Sequence, residues 1–301
     1  KKFDYWKINV RFEPVAGRLD ASRIKHCYET GYWRDEIVTE LLAKNAKERP
    51  NSLAVIDENR RVTWEQLYQS SVRFALHLKR LGINSGDAIA LQLPNWLEYI
   101  ICYHGIILVG GIVVQIGADW RSTEMAYGFG IGPAKMVIIP REFQGHDYLL
   151  TLRQLRPTLP KLKHILVARG NAPENFISLD DLLADPIESR VDSSTLDKCK
   201  PGPNEIIRIV FTSGTTGLPK AIMHTSNTLA HSARATRKDF KLNAEDAFLI
   251  YLPYSTNFGS IMGLQLAVSV GAKIVLTDRF SATKSIELIE KENITFIPGT
   301  P

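Results

Sequence analysis

Short apolar runs alternate with longer amphipathic segments through the first two thirds of the chain. Each short run has the length and composition of a buried strand, and each longer segment carries apolar residues at helical spacing. Helices are predicted from Trp64, from about Trp96 and from Ser122. Strands that alternate with helices form parallel sheets with helices on both faces, so the pattern predicts an α/β fold. The predicted strands are residues 54–57, 61–63, 88–93, 112–116, 135–139 and 164–168.

The helix predicted from Trp64 has a start signal and a stop signal. Thr63 and Gln66 have the spacing of a capping box, in which each side chain bonds the other residue's backbone N–H. Gly82 supplies the stop. The residues expected on the buried face are Trp64, Leu67, Tyr68, Ser71, Ala75 and Leu78.

One apolar stretch, residues 99–117, is long enough to be considered as a membrane span. His104 and Gln115 interrupt it, and Gly110 and Gly111 divide it into a helix-length piece and a strand-length piece. We therefore expect a buried helix followed by a buried parallel strand, and no transmembrane segment.

A polar segment, residues 184–204, interrupts the alternation and predicts a connection between two halves. We expect a first α/β subdomain over residues 1–200 and a second over residues 201–301. Because the chain stops directly after a predicted strand, the second subdomain is expected to be incomplete at its C-terminus. Its predicted strands are residues 206–211, 221–223, 248–252, 273–277 and 294–297, with helices at 227–240 and 283–292.

Composition narrows the function classes. Hydrophobic residues make up 45% and charged residues 23% of the 301 positions, which excludes a mostly disordered chain. The net charge of +5 is too small to indicate nucleic-acid binding, although it suits a protein that handles phosphates. Cys27, Cys102 and Cys199 form no C-x-x-C pair, and no signal peptide is expected, since no apolar run follows the charged first residues. A cytoplasmic protein without a disulfide framework is expected, and no histidines have metal-ligand spacing, so no metal site is predicted.

The segment from Phe211 to Lys220 carries the clearest chemistry, because it follows a buried strand and combines two glycines with four hydroxyls. Glycines let the backbone curl, and hydroxyls with free N–H groups surround phosphate oxygens. The segment is not the common P-loop, since Pro219 stands where that motif has its second glycine. From composition alone, an ordinary Ser/Thr/Gly turn remains the alternative.

The order Thr-Ser-Gly-Thr-Thr-Gly-Leu-Pro-Lys closely resembles the signature of the adenylate-forming (ANL) superfamily, which contains acyl- and aryl-CoA synthetases, peptide-synthetase adenylation domains and luciferases. The resemblance implies the N-terminal large domain of such an enzyme, with two stacked, mostly parallel sheets and helices on both faces. Gly31-Tyr32-Trp33 is most similar to aryl-acid and cyclic-acid ligases. The residues that would hold the β- and γ-phosphates are Thr212, Ser213, Gly214, Thr215, Thr216 and Gly217, with Lys220 adding charge.

In that family a carboxylate attacks the α-phosphate of ATP, and a thiol then takes the acyl group. The resemblance therefore implies an ATP-dependent carboxylic acid–CoA ligase that uses ATP, Mg²⁺ and coenzyme A on an aryl, cyclic or medium-chain acid. An acid–AMP ligase that loads a carrier protein stays open, as does a non-catalytic nucleotide- or acyl-binding module of the same fold. The sequence does not indicate an oligomeric state.

A second family site fits residues 252–259, where Tyr254, Ser255, Thr256, Asn257 and Gly259 would border the acid pocket. Members commonly have a histidine where this chain has Thr256, which weakens any aromatic gate there. The other interpretation is a helix start, with Ser255 or Thr256 as the cap, Asn257 exposed and the next residue in the core.

Two other features depart from the family pattern or lie outside it. Ser226 follows Thr225 where many members have a histidine, and His224 is not its substitute. Arg234, Arg237, Lys238 and Lys241 predict a solvated helix face that could attract the phosphates of coenzyme A.

The family's magnesium-binding glutamate, ribose-binding aspartate and C-terminal lysine would follow Pro301. We therefore expect this chain to be the first part of a ligase, to be inactive alone, and to contain no catalytic residue that can be assigned.

Overall fold

The computed structural model describes residues 21–58, 60–212 and 219–299. The helices are α1 (Ala21–Glu29), α2 (Val38–Glu48), α3 (Trp64–Arg80), α4 (Leu97–Leu108), α5 (Ser122–Ile131), α6 (Tyr148–Leu155), α7 (Leu179–Ala184), α8 (Ser226–Asp239), α9 (Leu266–Val270) and α10 (Ala282–Glu292). The strands are β1 (Leu53–Asp57), β2 (Arg60–Thr63), β3 (Ala88–Leu91), β4 (Ile112–Gln115), β5 (Met136–Pro140), β6 (Glu142–Phe143), β7 (His146–Asp147), β8 (His164–Ala168), β9 (Ile177–Ser178), β10 (Ile206–Thr212), β11 (Lys220–Thr225), β12 (Ala247–Ile250) and β13 (Lys273–Leu276).

Two larger sheets organise the chain. The seven-stranded sheet has the order β11-β10-β4-β3-β5-β8-β9, and only β11 runs antiparallel to its neighbour. The four-stranded sheet has the order β12-β13-β1-β2, in which β2 is antiparallel. This mixed but mostly parallel α/β architecture confirms the predicted fold class. The carboxyl ends of β3, β4 and β10 meet at one edge of the larger sheet, where open α/β sheets bind ligands.

Helix α4 lies between the two sheets, and every one of its residues is buried. This explains why the apolar stretch around it is not amphipathic: the helix has no face in solvent. A break at Gly110 (φ 81°) separates α4 from β4, as the sequence predicts. Within the described residues, no helix combines the length and the apolar character that a membrane span needs.

The capping box of α3 is confirmed in full, since the Thr63 side chain accepts from the Gln66 backbone and the Gln66 side chain accepts from the Thr63 backbone. Most predicted strands are also confirmed, but the strand predicted at 294–297 is wrong. There the chain makes an isolated bridge between Phe296 and Phe248, and Pro298 has no N–H with which to extend the pairing.

The sequence also missed several elements. Helices α1, α2, α6 and α7 were not predicted, and the polar connection contains two 3₁₀ turns, Ile187–Ser189 and Ser193–Cys199. The division at residue 200 stays a prediction. Strands from both sides of it share each larger sheet, since β10 pairs with β4 and β13 pairs with β1.

An ion-pair cluster joins the two sheets beside the start of α4. Asp57, at the end of β1, accepts from the backbone N–H of Leu97 at 2.9 Å and pairs with both Arg60 and Arg169. Glu98 accepts from Arg60 at 2.5 Å and from Arg169 at 3.0 Å. Burial by itself would raise the pKa of Glu98, but the hydrogen bond from Arg60 and the charge of Arg169 hold it below its usual value.

Candidate active site

The predicted phosphate loop connects β10 to β11. Thr212, the last residue of β10, lies directly opposite Lys220, the first residue of β11. Lys220 is exposed, so its ammonium group is free to meet an anion above the loop. The Tyr127 hydroxyl of α5 donates to the Pro219 carbonyl at 2.7 Å and fixes the exit of the loop. The predicted phosphate-binding residues Ser213, Gly214, Thr215, Thr216 and Gly217 lie outside the described residues.

The turn after β12, residues 252–259, is held against the larger sheet by Asn95. Its side-chain N–H donates to the Leu252 carbonyl at 2.9 Å, and its side-chain oxygen accepts from the Tyr254 backbone N–H, also at 2.9 Å. Asn95 follows β3, so this pair of bonds sets the position of the turn relative to the carboxyl edge of the sheet. The two segments that the sequence singled out are therefore anchored to the same edge.

Thr256 has a local role in this turn. Its hydroxyl donates to the Pro253 carbonyl at 2.8 Å and accepts from the Gly259 N–H at 3.0 Å. The capping part of the alternative interpretation is therefore confirmed for Thr256. The expectation of a core side chain at Phe258 is wrong, because 42% of that residue is exposed.

Tyr254 and Asn257 differ from each other in burial. Tyr254 is 1% exposed, and its ring packs 5.3 Å from the Tyr99 ring. Burial raises the pKa of Tyr254 well above its usual value, and none of the described residues makes a hydrogen bond to its hydroxyl. Asn257 is half-buried and accepts from the Arg208 guanidinium at 2.6 Å. Whether these two residues, Ser255, Thr256 and Gly259 contact an acid substrate stays a prediction.

Sequence analysis missed a buried polar cluster beneath the turn, which we define as Gln115, Arg208, His224, Asn257 and Ser260. Arg208 donates to the Ser260 hydroxyl at 2.6 Å, and Gln115 donates to the same hydroxyl at 3.3 Å. His224 lies opposite Arg208 on β11. One signal for the cluster was present in the sequence: Arg208 is a charged residue within an otherwise apolar strand.

The electrostatics of the polar cluster are dominated by Arg208, which is fully buried. Burial lowers the pKa of Arg208, and the nearby Tyr103 and Tyr99 offset part of that effect. Burial, followed by the charge of Arg208, lowers the pKa of His224 to about 4. His224 is therefore neutral near pH 7.

An open basic cleft of about 570 Å³ lies beside the end of α8. All four residues of the basic stretch that the sequence singled out line it, together with Tyr32 and Arg34: Arg234, Arg237, Lys238 and Lys241. Within residues 21–58, 60–212 and 219–299, no group of three or more His, Cys, Asp or Glu side chains could hold a metal ion.

Comparisons with known proteins identify the family of the chain. A sequence profile described as AMP-binding enzyme matches residues 42–301. The chain is 29% identical over 273 residues to the medium-chain fatty-acid–CoA ligase of Escherichia coli K12, and the match covers 90% of this chain and 47% of the ligase. It is also 29% identical over 274 residues to the 2,3-dihydroxybenzoate-AMP ligase of Bacillus subtilis, covering 91% and 49%.

Solved structures of two related proteins have the same fold as this chain. The apo structure of Mycobacterium smegmatis MbtA superposes with a TM-score of 0.78 at 26% identity, covering 92% of this chain and 50% of MbtA. The anthranilate CoA ligase AuaEII superposes with a TM-score of 0.76 at 22% identity, covering 88% and 49%. The chain thus spans about half the length of the relatives that it matches.

Proposed function

Since the chain belongs to the AMP-binding enzyme family of adenylate-forming ligases, we propose that the complete protein is an ATP-dependent carboxylic acid–CoA ligase. In the proposed reaction a carboxylate oxygen attacks the α-phosphorus of ATP and pyrophosphate leaves, which gives an acyl-adenylate. The sulfur of a thiol then attacks the acyl carbon, forming the thioester and releasing AMP. The observation that carries the proposal is the pairing of Thr212 with Lys220 at the mouth of the loop, on the ligand-binding edge of the sheet.

The role proposed for the loop is electrostatic. Thr212, the residues from Ser213 to Gly217 and Lys220 would hold the β- and γ-phosphates of ATP with fixed donors and one positive charge. Donors that are already oriented stabilise the departing pyrophosphate without waiting for solvent to reorganise. Mg²⁺ is included in the proposal through the nucleotide, whose phosphate oxygens it would neutralise.

The proposed acid is aryl, cyclic or medium-chain. Relatives named for a medium-chain fatty acid, for 2,3-dihydroxybenzoate and for salicylate support this range. In this chain Asn257, half-buried at the edge of the polar cluster, is the residue proposed to face the substituents of the acid.

Coenzyme A is the proposed acceptor. One relative is named as a salicyl-AMP ligase and salicyl-S-ArCP synthetase, which supports a carrier protein as the alternative thiol source. Comparing coenzyme A with a carrier protein as acceptor, after the adenylation step has been measured, separates the two.

The proposal is tested by ATP–pyrophosphate exchange with the complete protein that contains this chain. Benzoate, hydroxybenzoates, cyclohexanecarboxylate and octanoate are the acids to compare. Exchange that depends on one of them establishes adenylate formation and identifies the acid class. If the folded protein binds ATP but exchanges with none of them, the ligase proposal fails in favour of a binding module.

A variant of Lys220 tests the assignment of the loop. Lys220→Ala should lower exchange about 10- to 100-fold, because a hydrogen bond from a charged group contributes about 1.5–3 kcal/mol. Its melting temperature should be unchanged, since the side chain is exposed. Lys238→Ala, an exposed lysine on α8, is the matched control and should retain activity. Unfolding by Lys220→Ala, with specific activity retained, would show that the loop is wrongly assigned.

A further inference from the structure

We propose that the preferred acid carries a second carboxylate and that Arg208 receives it. This inference rests on the proposed function and narrows its substrate class to dicarboxylic acids. It depends on three observations: a buried positive charge without a counter-ion among the described residues, a guanidinium edge that is half-occupied, and the position of Arg208 on β10, four residues before Thr212.

The charge of Arg208 has no protein counter-ion among the described residues. Its partners are the Ser260 hydroxyl, the Asn257 amide and the Tyr103 hydroxyl, all of them neutral, although the residue is fully buried. Other arginines of the described chain that reach into buried positions have carboxylate partners: Arg60 and Arg169 both bond Glu98. Buried charges in proteins are normally paired, so an unpaired one in a proposed ligand pocket points to an anion supplied by the ligand.

The geometry of the guanidinium fits a carboxylate. The Nε and Nη2 atoms of arginine form one planar edge with parallel N–H bonds, which a carboxylate fills with two hydrogen bonds. In Arg208 the Nη2 atom donates to the Asn257 oxygen. The neighbouring Nε atom is buried without a partner among the described residues. A carboxylate that displaces the Asn257 oxygen would satisfy both atoms, whereas a single neutral acceptor satisfies one.

Two further polar atoms of the cluster, the Nε2 atom of His224 and the Oε1 atom of Gln115, are buried without a hydrogen-bond partner among the described residues. His224 lies opposite Arg208 on β11, so its ring can donate to an incoming oxygen in the tautomer that carries the proton on Nε2. His224 and Asn257 are only partly buried, which leaves the polar cluster with an open side.

The position of Arg208 sets the size of the acid. Arg208 and Thr212 point to the same face of β10, because they are separated by an even number of residues. Four residues of extended strand separate their Cα atoms by about 13 Å. A reacting carboxylate near Thr212 and a second carboxylate at Arg208 would thus lie at opposite ends of the acid, which favours an extended dicarboxylate over one with adjacent carboxylates.

The test compares matched acids in ATP–pyrophosphate exchange with the complete protein. The pairs are benzoate against phthalate, isophthalate and terephthalate, cyclohexanecarboxylate against its 1,3- and 1,4-dicarboxylates, and octanoate against octanedioate. At least one dicarboxylate should exceed its monocarboxylate about 100-fold in kcat/KM, since sites built around a polar group strongly reject analogues that lack it. This comparison needs no variant.

Arg208→Met then replaces the guanidinium by an unbranched apolar side chain. The dicarboxylate preference, which is the ratio of kcat/KM for a dicarboxylate to kcat/KM for its monocarboxylate, should fall from about 100 to about 1. Arg208→Lys, which keeps the charge without the planar edge, should retain part of the preference. Arg73→Met, which removes a partly buried arginine paired with Glu188 elsewhere, is the control and should keep the full preference.

Each failure has a distinct meaning. Exchange with monocarboxylates but no gain from any second carboxylate overturns this inference and leaves the ligase proposal intact. A dicarboxylate preference that survives Arg208→Met also overturns it. So does a result in which Arg208→Met lowers kcat/KM for the hydroxybenzoates and for no dicarboxylate. An absence of acid-dependent exchange with every compound in either series overturns the proposed function itself.

Discussion

Replacing His104 with Phe should remove about 2 kcal/mol of the stability that the protein loses between pH 7.5 and pH 5. His104 lies in α4 and is completely buried, and neither of its ring nitrogens has a hydrogen-bond partner in the described part of the chain. Burial lowers the pKa of His104 from 6.5 to about 3. The folded protein therefore holds this ring neutral under conditions in which the unfolded chain protonates it.

The magnitude follows from that difference in pKa. Below pH 6.5 the unfolded state binds a proton that the folded state does not, so stability falls as the pH falls. A pH of 5 is 1.5 units below the pKa of the imidazole in the unfolded chain. At 1.36 kcal/mol per unit, the loss in the free energy of unfolding is about 2 kcal/mol. At pH 7.5 the corresponding loss is close to zero. Phe has a ring of similar size and no titratable group, so the variant should not show this loss.

Urea unfolding of the wild type and of His104→Phe at both pH values measures the effect. The other titrating groups cancel in the difference between the two proteins, so the pH-dependent part of that difference should be about 2 kcal/mol. Cys102→Ala, a change two residues away in the same buried helix, is the control and should shift stability equally at both pH values. An equal pH dependence in wild type and His104→Phe would show that His104 is hydrated or bonded in solution.

Three further substitutions test other parts of the fold and site. Gly259→Ala should lower both the exchange activity and the melting temperature, because its Cβ would lie 2.3 Å from the Pro253 carbonyl oxygen. A variant with unchanged exchange activity would contradict the geometry of the turn. Arg169→Met should destabilise the chain by about 3 kcal/mol in urea, since it leaves Glu98 with fewer partners, and a loss under about 0.5 kcal/mol would contradict the cluster. Thr63→Ala should lose about 1 kcal/mol by removing the cap of α3, as measured by thermal melting.

Elements governed by local chemistry were predictable from the sequence. The capping box at Thr63 and Gln66 depends on residues three positions apart, and the structure reproduces it. The break at Gly110 was similarly visible, because only glycine readily adopts its positive φ. In both places the interactions that determine the structure lie within a few residues of each other.

Features that depend on distant parts of the chain were not predictable. Arg208 becomes part of a polar cluster only when β11 brings His224 beside it and the turn after β12 brings Asn257. The role of Thr256 in its turn was weighed as an alternative, but the exposure of Phe258 was not foreseen, since burial depends on what covers a residue. The phosphate loop is the opposite case: its sequence is the most informative in the chain, and its residues 213–218 lie outside the described structure.

The placement of α4 between the sheets has a consequence for how acid selectivity could be altered. At its first turn α4 is fixed by Asp57 and Arg169, and further along the Tyr99 hydroxyl accepts from Gln115 at 2.7 Å. A helix bonded to both sheets resists their separation, because packed interiors leave little room for movement. Under the proposed function, the range of acids should therefore change through exchanges of side chains around Arg208 and Asn257, whereas libraries directed at loop length or sheet packing should yield unfolded protein.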